Sequence, residues 1–135
     1  MKVLIDTMYI AALLSDEKLK KLAIAIDDEK IDAIASVISL TELVKILGAR
    51  DERRMRNAIR KLKSSNLRIV DVTSAIAERA GEIRLHYDIP TADALICSTG
   101  IVSNAKHVLT DDKHFEATGK LIKPLDLRRL LKMIG

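Results

Sequence analysis

The sequence predicts a three-layer α/β/α sandwich built on a central, mostly parallel sheet of about five strands. Three observations predict it. Short apolar runs alternate along the chain with longer amphipathic stretches of helical period, the pattern of strands joined by crossover helices. The first run, residues 2–5, is apolar up to Asp6, as befits a buried strand of a parallel sheet. No internal repeat, low-complexity stretch or linker breaks the alternation, and only two prolines and five glycines punctuate the 135 residues. A single domain over residues 1–135 is the simplest organisation at this length.

After the strand at 2–5, residues 7–14 and 16–27 read as helices and 32–36 as a second strand. Ser39 is placed to cap the next helix, with Glu42 three residues on in capping-box position and Gly48 at the far end. Residues 51–64 form a basic helix with a stripe of Met55, Ala58, Ile59 and Leu62 opposite Arg53, Arg56, Arg60 and Lys63. A third strand follows at 67–72, an amphipathic helix at 74–86, and another from Pro90-Thr91 to about Ser103. Strand four is expected at 107–109, a helical turn at 112–116, strand five at 121–123 and a closing helix at 125–134. The apolar stripes of 16–27 and 51–64 suit either the sheet or a second subunit.

Composition narrows the function classes. With 48% hydrophobic and 31% charged residues, the chain is of globular rather than disordered type. Folding at this size buries about two-thirds of the unfolded surface. Tyr9, Tyr87 and Phe115 are the only aromatics, so the core rests on Leu, Ile, Val and Ala, and a base-stacking platform is disfavoured. A net charge of +4 permits a polyanionic partner without requiring one. Cys97 is alone, which excludes an internal disulfide and a thiolate metal cluster. The apolar segment 9–14 is far too short to span a bilayer, and no signal peptide is recognisable. The expectation is a cytoplasmic protein with no membrane partner.

Four acids stand out. Parallel α/β sheets place their sites beyond the carboxyl ends of the strands, at a topological switch point. Asp6 and Asp112 follow predicted strands, while Glu42 and Asp93 lie near the starts of helices, so all four can converge on one sheet edge. Carboxylates from separate elements suit Mg²⁺ or Mn²⁺, which prefer oxygen ligands. Such a metal acidifies water and stabilises charge on a leaving oxygen. Without a cation, two carboxylates ~4 Å apart repel by about 4 kcal/mol at an effective dielectric of 20. Each acid also has a plainer reading. Asp93 favours a helix N-terminus, Glu42 completes a capping box, and Asp112 caps a short helix. Asp6 is hardest to explain so, because an acid closing a buried strand needs a partner.

Four segments resemble those of the PIN-domain ribonucleases, and among them the VapC toxins of prokaryotic toxin–antitoxin pairs. They are Val3-Leu4-Ile5-Asp6-Thr7, Ser39-Leu40-Thr41-Glu42-Leu43-Val44, Thr91-Ala92-Asp93-Ala94-Leu95-Ile96 and Leu109-Thr110-Asp111-Asp112-Lys113-His114-Phe115. They occur in the family's order across most of the chain. The resemblance implies a Mg²⁺- or Mn²⁺-dependent endoribonuclease with its four acids at Asp6, Glu42, Asp93 and Asp112. It places a threonine at Thr110 to position a water or phosphate, and leaves Asp111 to share the metal with Asp112. It also implies an RNA substrate, a cognate VapB-like antitoxin and a homodimer.

Other features have two readings each. Thr7 suits either a metal-bound water or the cap of the next helix. Arg50, Arg53, Arg54, Arg56, Arg60, Lys61 and Lys63 suit a phosphate backbone or a solvated helix face. Arg84 and Lys113 lie near site segments. His86, His107 and His114 lack metal-ligand spacing, and none is assigned a catalytic role. Tyr87 and Phe115 are read as core or partner-contact residues. The rival fold reading is a receiver-type phosphoacceptor domain, with Asp71, Thr110 and Lys123-Pro124 after strands three to five. It lacks the acid pair after strand one, where Thr7 and Met8 stand, and gives Glu42 and Asp93 no role. Met8 likewise stands where haloacid phosphatases need a second acid, and no Gly-rich phosphate loop is present. A PIN-like module that binds RNA or protein without cutting, and a DNA-cutting nuclease, remain compatible with the same residues.

Overall fold

In the computed structural model, which describes residues 1–135, the apolar runs become β1 (Lys2–Ile5), β2 (Asp32–Ser36), β3 (Arg68–Val70), β4 (His107–Leu109) and β5 (Lys123–Leu125). All pairings are parallel, in the order β3-β2-β1-β4-β5. The central strand β1 pairs Leu4 with Ile34 on one side and with Val108 on the other. Alternate side chains leave it on opposite faces. Val3 and Ile5 enter one core, and Leu4 the other. All three are fully buried, worth roughly 1.5–3 kcal/mol each.

Helices cover both faces. On the Val3 side lie α1 (Thr7–Leu13), α2 (Lys20–Asp27), α3 (Val37–Gly48), α4 (Glu52–Lys63) and α8 (Leu127–Ile134), contributing Ile10, Leu22, Ile26, Leu43, Leu62 and Leu130 to the core. On the Leu4 side lie α5 (Ser74–His86), α6 (Thr91–Val102) and α7 (Lys113–Ala117), contributing Ile83, Ile96, Cys97 and Phe115. This is the expected three-layer sandwich. The stripe of 16–27 faces the sheet, with Leu22 and Ile26 buried in the first core, whereas that of 51–64 packs against α3, burying Leu62 and leaving Met55 and Ala58 along an open groove. Tyr87 packs against the second core and Phe115 lies within it.

Several expected boundaries move. Residues 16–27 are not one helix: Asp16 caps a 3-10 turn over Glu17–Leu19, and α2 begins only at Lys20. Ser36, not Ser39, caps α3, accepting from Ile38 N at 3.1 Å. Ser36 is also the last residue of β2, so the strand turns into the helix without a loop. Ser39 therefore falls inside α3 and Glu42 outside its first turn, so the pair is no capping box. Strand five is Lys123–Leu125 rather than 121–123. Leu121 and Ile122 instead fold back on Thr118 through backbone bonds of 2.9 and 3.2 Å. Pro124 is tolerated because β5 is an edge strand. The other edge, β3, is also shorter than expected, as edges often are.

The strand order also disposes of the receiver-type reading. That fold has the order 2-1-3-4-5, whereas here β3 is an edge strand. Asp71, just beyond it, is exposed and two strands away from β1.

One close approach fixes α6 against the sheet. A Cβ at Gly100 would lie 2.7 Å from Ile122 Cδ1 and 2.9 Å from Leu4 Cδ2. Only glycine lets this helix come so near β1, and the same helix carries Asp93.

Candidate active site

The chain runs outward from β1 to β2 and β3, then returns to place β4 and β5 on the other side of β1. The switch point is therefore between β1 and β4, and its crevice opens at their carboxyl ends. Asp6 directly follows Ile5, and Thr110 directly follows Leu109. Asp6 N donates to Leu109 O at 3.1 Å, which holds the two strand ends together.

Asp6 is nearly buried, at 7% exposure. It caps α1, with Oδ1 accepting from Thr7 N at 2.8 Å. Its Oδ2 accepts from Thr110 Oγ1 at 2.7 Å. Thr110 Oγ1 in turn accepts from Asp112 N at 2.9 Å, and Asp112 Oδ1 caps α7 through His114 N at 2.9 Å. One hydroxyl thus ties the acid of β1 to the loop that carries the acid after β4.

A second chain of hydroxyls sets Glu42. Thr7 Oγ1 donates to Glu42 Oε1 at 2.6 Å and lies 2.8 Å from Ser39 Oγ. Thr7 has one hydroxyl proton, so Ser39 is the donor to Thr7. Thr7 therefore does not cap α1, which Asp6 does, and its one hydroxyl proton is committed to Glu42. It transmits the position of the buried Ser39 to Glu42.

Asp93 comes from the first turn of α6, one turn past Pro90. Arg84 Nε holds Ile89 O at 3.2 Å, so this guanidinium secures the α5–α6 connection ahead of Asp93. Asp93 Oδ2 is hydrogen-bonded to His114 Nδ1, which also lies 3.3 Å from Asp112 Oδ1. Sequence spacing gave no signal for His114; its place follows from Asp112 starting α7 and the buried Phe115 anchoring that turn.

Asp111 takes a different direction from Asp112. Its Oδ1 accepts from Tyr9 Oη at 3.0 Å on the exposed rim. Burial and then that carboxylate push the Tyr9 phenol up to about 12. Asp111 and Tyr9 border a cavity of about 390 Å³ together with Asp6, Met8, Ala12 and Asp112. Lys113 is exposed beside it. The basic residues of α4 are exposed, Arg54 and Lys61 along a groove toward the end of α1, and His86 and His107 make no contact with the acids.

The electrostatics are those of an acidic cluster whose one basic neighbour is His114. Burial, with a smaller contribution from Asp112 and Asp93, holds the Asp6 carboxyl above its usual range despite its two hydrogen bonds. Burial also raises Asp93, helped by Asp112 and Glu42 and opposed by His114. Of 23 lysines and arginines, none forms an ion pair with Asp6, Glu42, Asp93 or Asp112. Glu42 Oε2, Asp93 Oδ1 and Asp112 Oδ2 accept no protein hydrogen bond. Oxygen donors without a lysine or arginine partner fit a hard divalent ion.

The PIN domain family profile matches residues 3–121. The fold is similar to VapBC2 from Rickettsia felis bound to a DNA fragment from their promoter, at 21% identity over 93% of this chain and 98% of that one, TM-score 0.75. It is similar to DNA-bound VapBC from Salmonella typhimurium, at 20% identity over 93% and 98%, TM-score 0.75. It is also similar to VapC20 of Mycobacterium tuberculosis, described as a sarcin-ricin loop cleaving toxin, at 23% identity over 90% and 97%, TM-score 0.69. No curated protein matches the chain. With the profile extending over most of its length, the chain belongs to the PIN-domain family.

Proposed function

We propose that this protein is a metal-dependent endoribonuclease and the toxin of a VapBC-type pair. The carrying observation is the group of four acids at the switch-point crevice, none of which has a lysine or arginine partner. Asp6, Glu42, Asp93 and Asp112 would hold Mg²⁺ or Mn²⁺. When bound, the ion supplies an acidified water and neutralises charge on the leaving oxygen.

The protein's own part is positioning. Thr110 and Thr7 N hold both oxygens of Asp6, and Thr7 Oγ1 holds one oxygen of Glu42. Each carboxylate keeps lone pairs directed away from these bonds. Water adds to phosphorus, the bond to the 3′-oxygen breaks, and that oxygen leaves with a proton. Lys113, exposed beside the crevice, is placed to attract the phosphate backbone.

A VapB-like antitoxin belongs to this reading. A groove of about 650 Å³ between the end of α1 and α4 has an apolar floor of Leu14, Leu47 and Met55, rimmed by Arg50, Arg54 and Lys61. It suits an amphipathic segment with acidic flanks. Homodimerisation and action in the cytoplasm complete the proposal; light scattering on the purified chain tests the dimer.

The product ends test the chemistry. Incubation of labelled single-stranded RNA with Mg²⁺ or Mn²⁺ is expected to give 5′-phosphate and 3′-hydroxyl ends, and EDTA to stop the cleavage. Cyclic phosphate ends formed equally well in EDTA would overturn it.

A further inference from the structure

The only basic side chain that reaches the acidic cluster is an imidazole. One donor atom each from Asp93, Asp112 and His114 falls within 4.8 Å of the others. His114 Nδ1 and Asp112 Oδ1 are 3.3 Å apart, a separation that one ion at roughly 2.0–2.2 Å from each ligand atom can span. The imidazole is placed by the fold: His114 N is bound to Asp112 Oδ1, and the next residue, Phe115, is 1% exposed in the core. Its Nδ1 faces both carboxylates.

We propose that His114 is a nitrogen ligand of the metal centre and biases it toward Mn²⁺ over Mg²⁺. The inference rests on the metal-centre reading above and adds a donor to it. Mg²⁺ favours an all-oxygen shell and keeps its waters. Imidazole nitrogen suits transition ions, for which the affinity of a nitrogen-containing site rises from Mn²⁺ onward. An imidazole beside two carboxylates therefore strengthens Mn²⁺ binding while adding little for Mg²⁺. His86 and His107 lie outside the cluster, so any nitrogen ligation in this chain is assigned to His114.

Pulsed EPR of the Mn²⁺-loaded full-length chain tests this directly, because ligation through nitrogen modulates the electron-spin echo. Wild type is expected to show ¹⁴N modulation and His114→Gln to lack it. Calorimetry is expected to show Mn²⁺ binding weakened about 10-fold in His114→Gln, a typical loss for a disturbed metal site, with Mg²⁺ binding changed less than about 2-fold. Mn²⁺ bound without nitrogen modulation in wild type would overturn the inference and leave the metal-centre reading intact. Failure of wild type to bind either ion would overturn both. The wild-type spectrum decides the matter even if the variant misfolds.

Discussion

Thr110 donates to Asp6 Oδ2 at 2.7 Å across 104 residues of sequence. This bond joins the end of β4 to the end of β1 at the sheet's switch point, and Thr110 Oγ1 itself accepts from Asp112 N. Thr110→Val removes both bonds at nearly constant volume. It is expected to lower RNA cleavage about 10-fold or more and to destabilise the fold by about 1–3 kcal/mol, because a buried acceptor loses its partner. Thr110→Ser should retain most of both. Cleavage rates and urea melts of the two variants check this.

The acid cluster makes a signed prediction about pH. Asp6 and Asp93 have folded-state pKa values above their ordinary 3.8. The folded state therefore holds their protons more tightly than the unfolded state. Their stabilising contribution is full below the unfolded value of about 4 and is lost as pH rises through the raised folded values. Asp93→Asn removes part of that loss. In EDTA, the variant is expected to be more stable than wild type at pH 7, by about 1 kcal/mol as for other relieved active-site strain. The difference should shrink toward pH 4. Melts across that range check the sign; a variant less stable than wild type at pH 7 contradicts it.

Gly100 predicts a steric cost. Its missing Cβ is what admits Leu4 and Ile122, and Leu4 is fully buried in the central strand. Gly100→Ala is expected to destabilise by about 1–3 kcal/mol through overpacking, outweighing its gain in helix propensity. Denaturant unfolding measures it.

Glu29 offers the opposite case. It has φ 56° just past the end of α2, while Lys30 N bonds back to Ala25 O and Glu29 N to Ile26 O. This left-handed helix terminus is where glycine is favoured. Glu29→Gly is expected to stabilise by about 0.5–1 kcal/mol without changing cleavage, which thermal melts and an activity assay together check.

Much of this arrangement was legible because it is local. Apolar runs fixed 2–5, 32–36 and 107–109 as strands, and helical period fixed 74–86, all with the boundaries observed. The alternation of strand and helix was enough for a parallel, three-layer fold. What escaped depended on distant partners. Ser36 and Ser39 are equally good caps in isolation; the end of β2 decides for Ser36, and Thr7 then claims Ser39. Strand five was expected at 121–123 but runs over Lys123–Leu125, where Pro124 is tolerated because β5 is an edge. His114 has no metal-ligand spacing along the chain, since its partner Asp93 lies on another helix. Asp111 and Asp112 are indistinguishable as neighbours, yet Tyr9 draws the first outward while Thr110 and α7 turn the second toward the crevice.

The central claim is that these acids act together on a phosphodiester through a divalent ion. Cleavage of one labelled RNA by wild type, Asp6→Asn and Asp93→Asn, in Mn²⁺, Mg²⁺ and EDTA, tests it most directly, with circular dichroism confirming the fold of each. The account predicts cleavage by wild type with metal only, and a loss of at least about 100-fold in both variants, the scale expected when transition-state charge stabilisation is removed. Wild-type rates from either folded variant, or cleavage undiminished by EDTA, would contradict it.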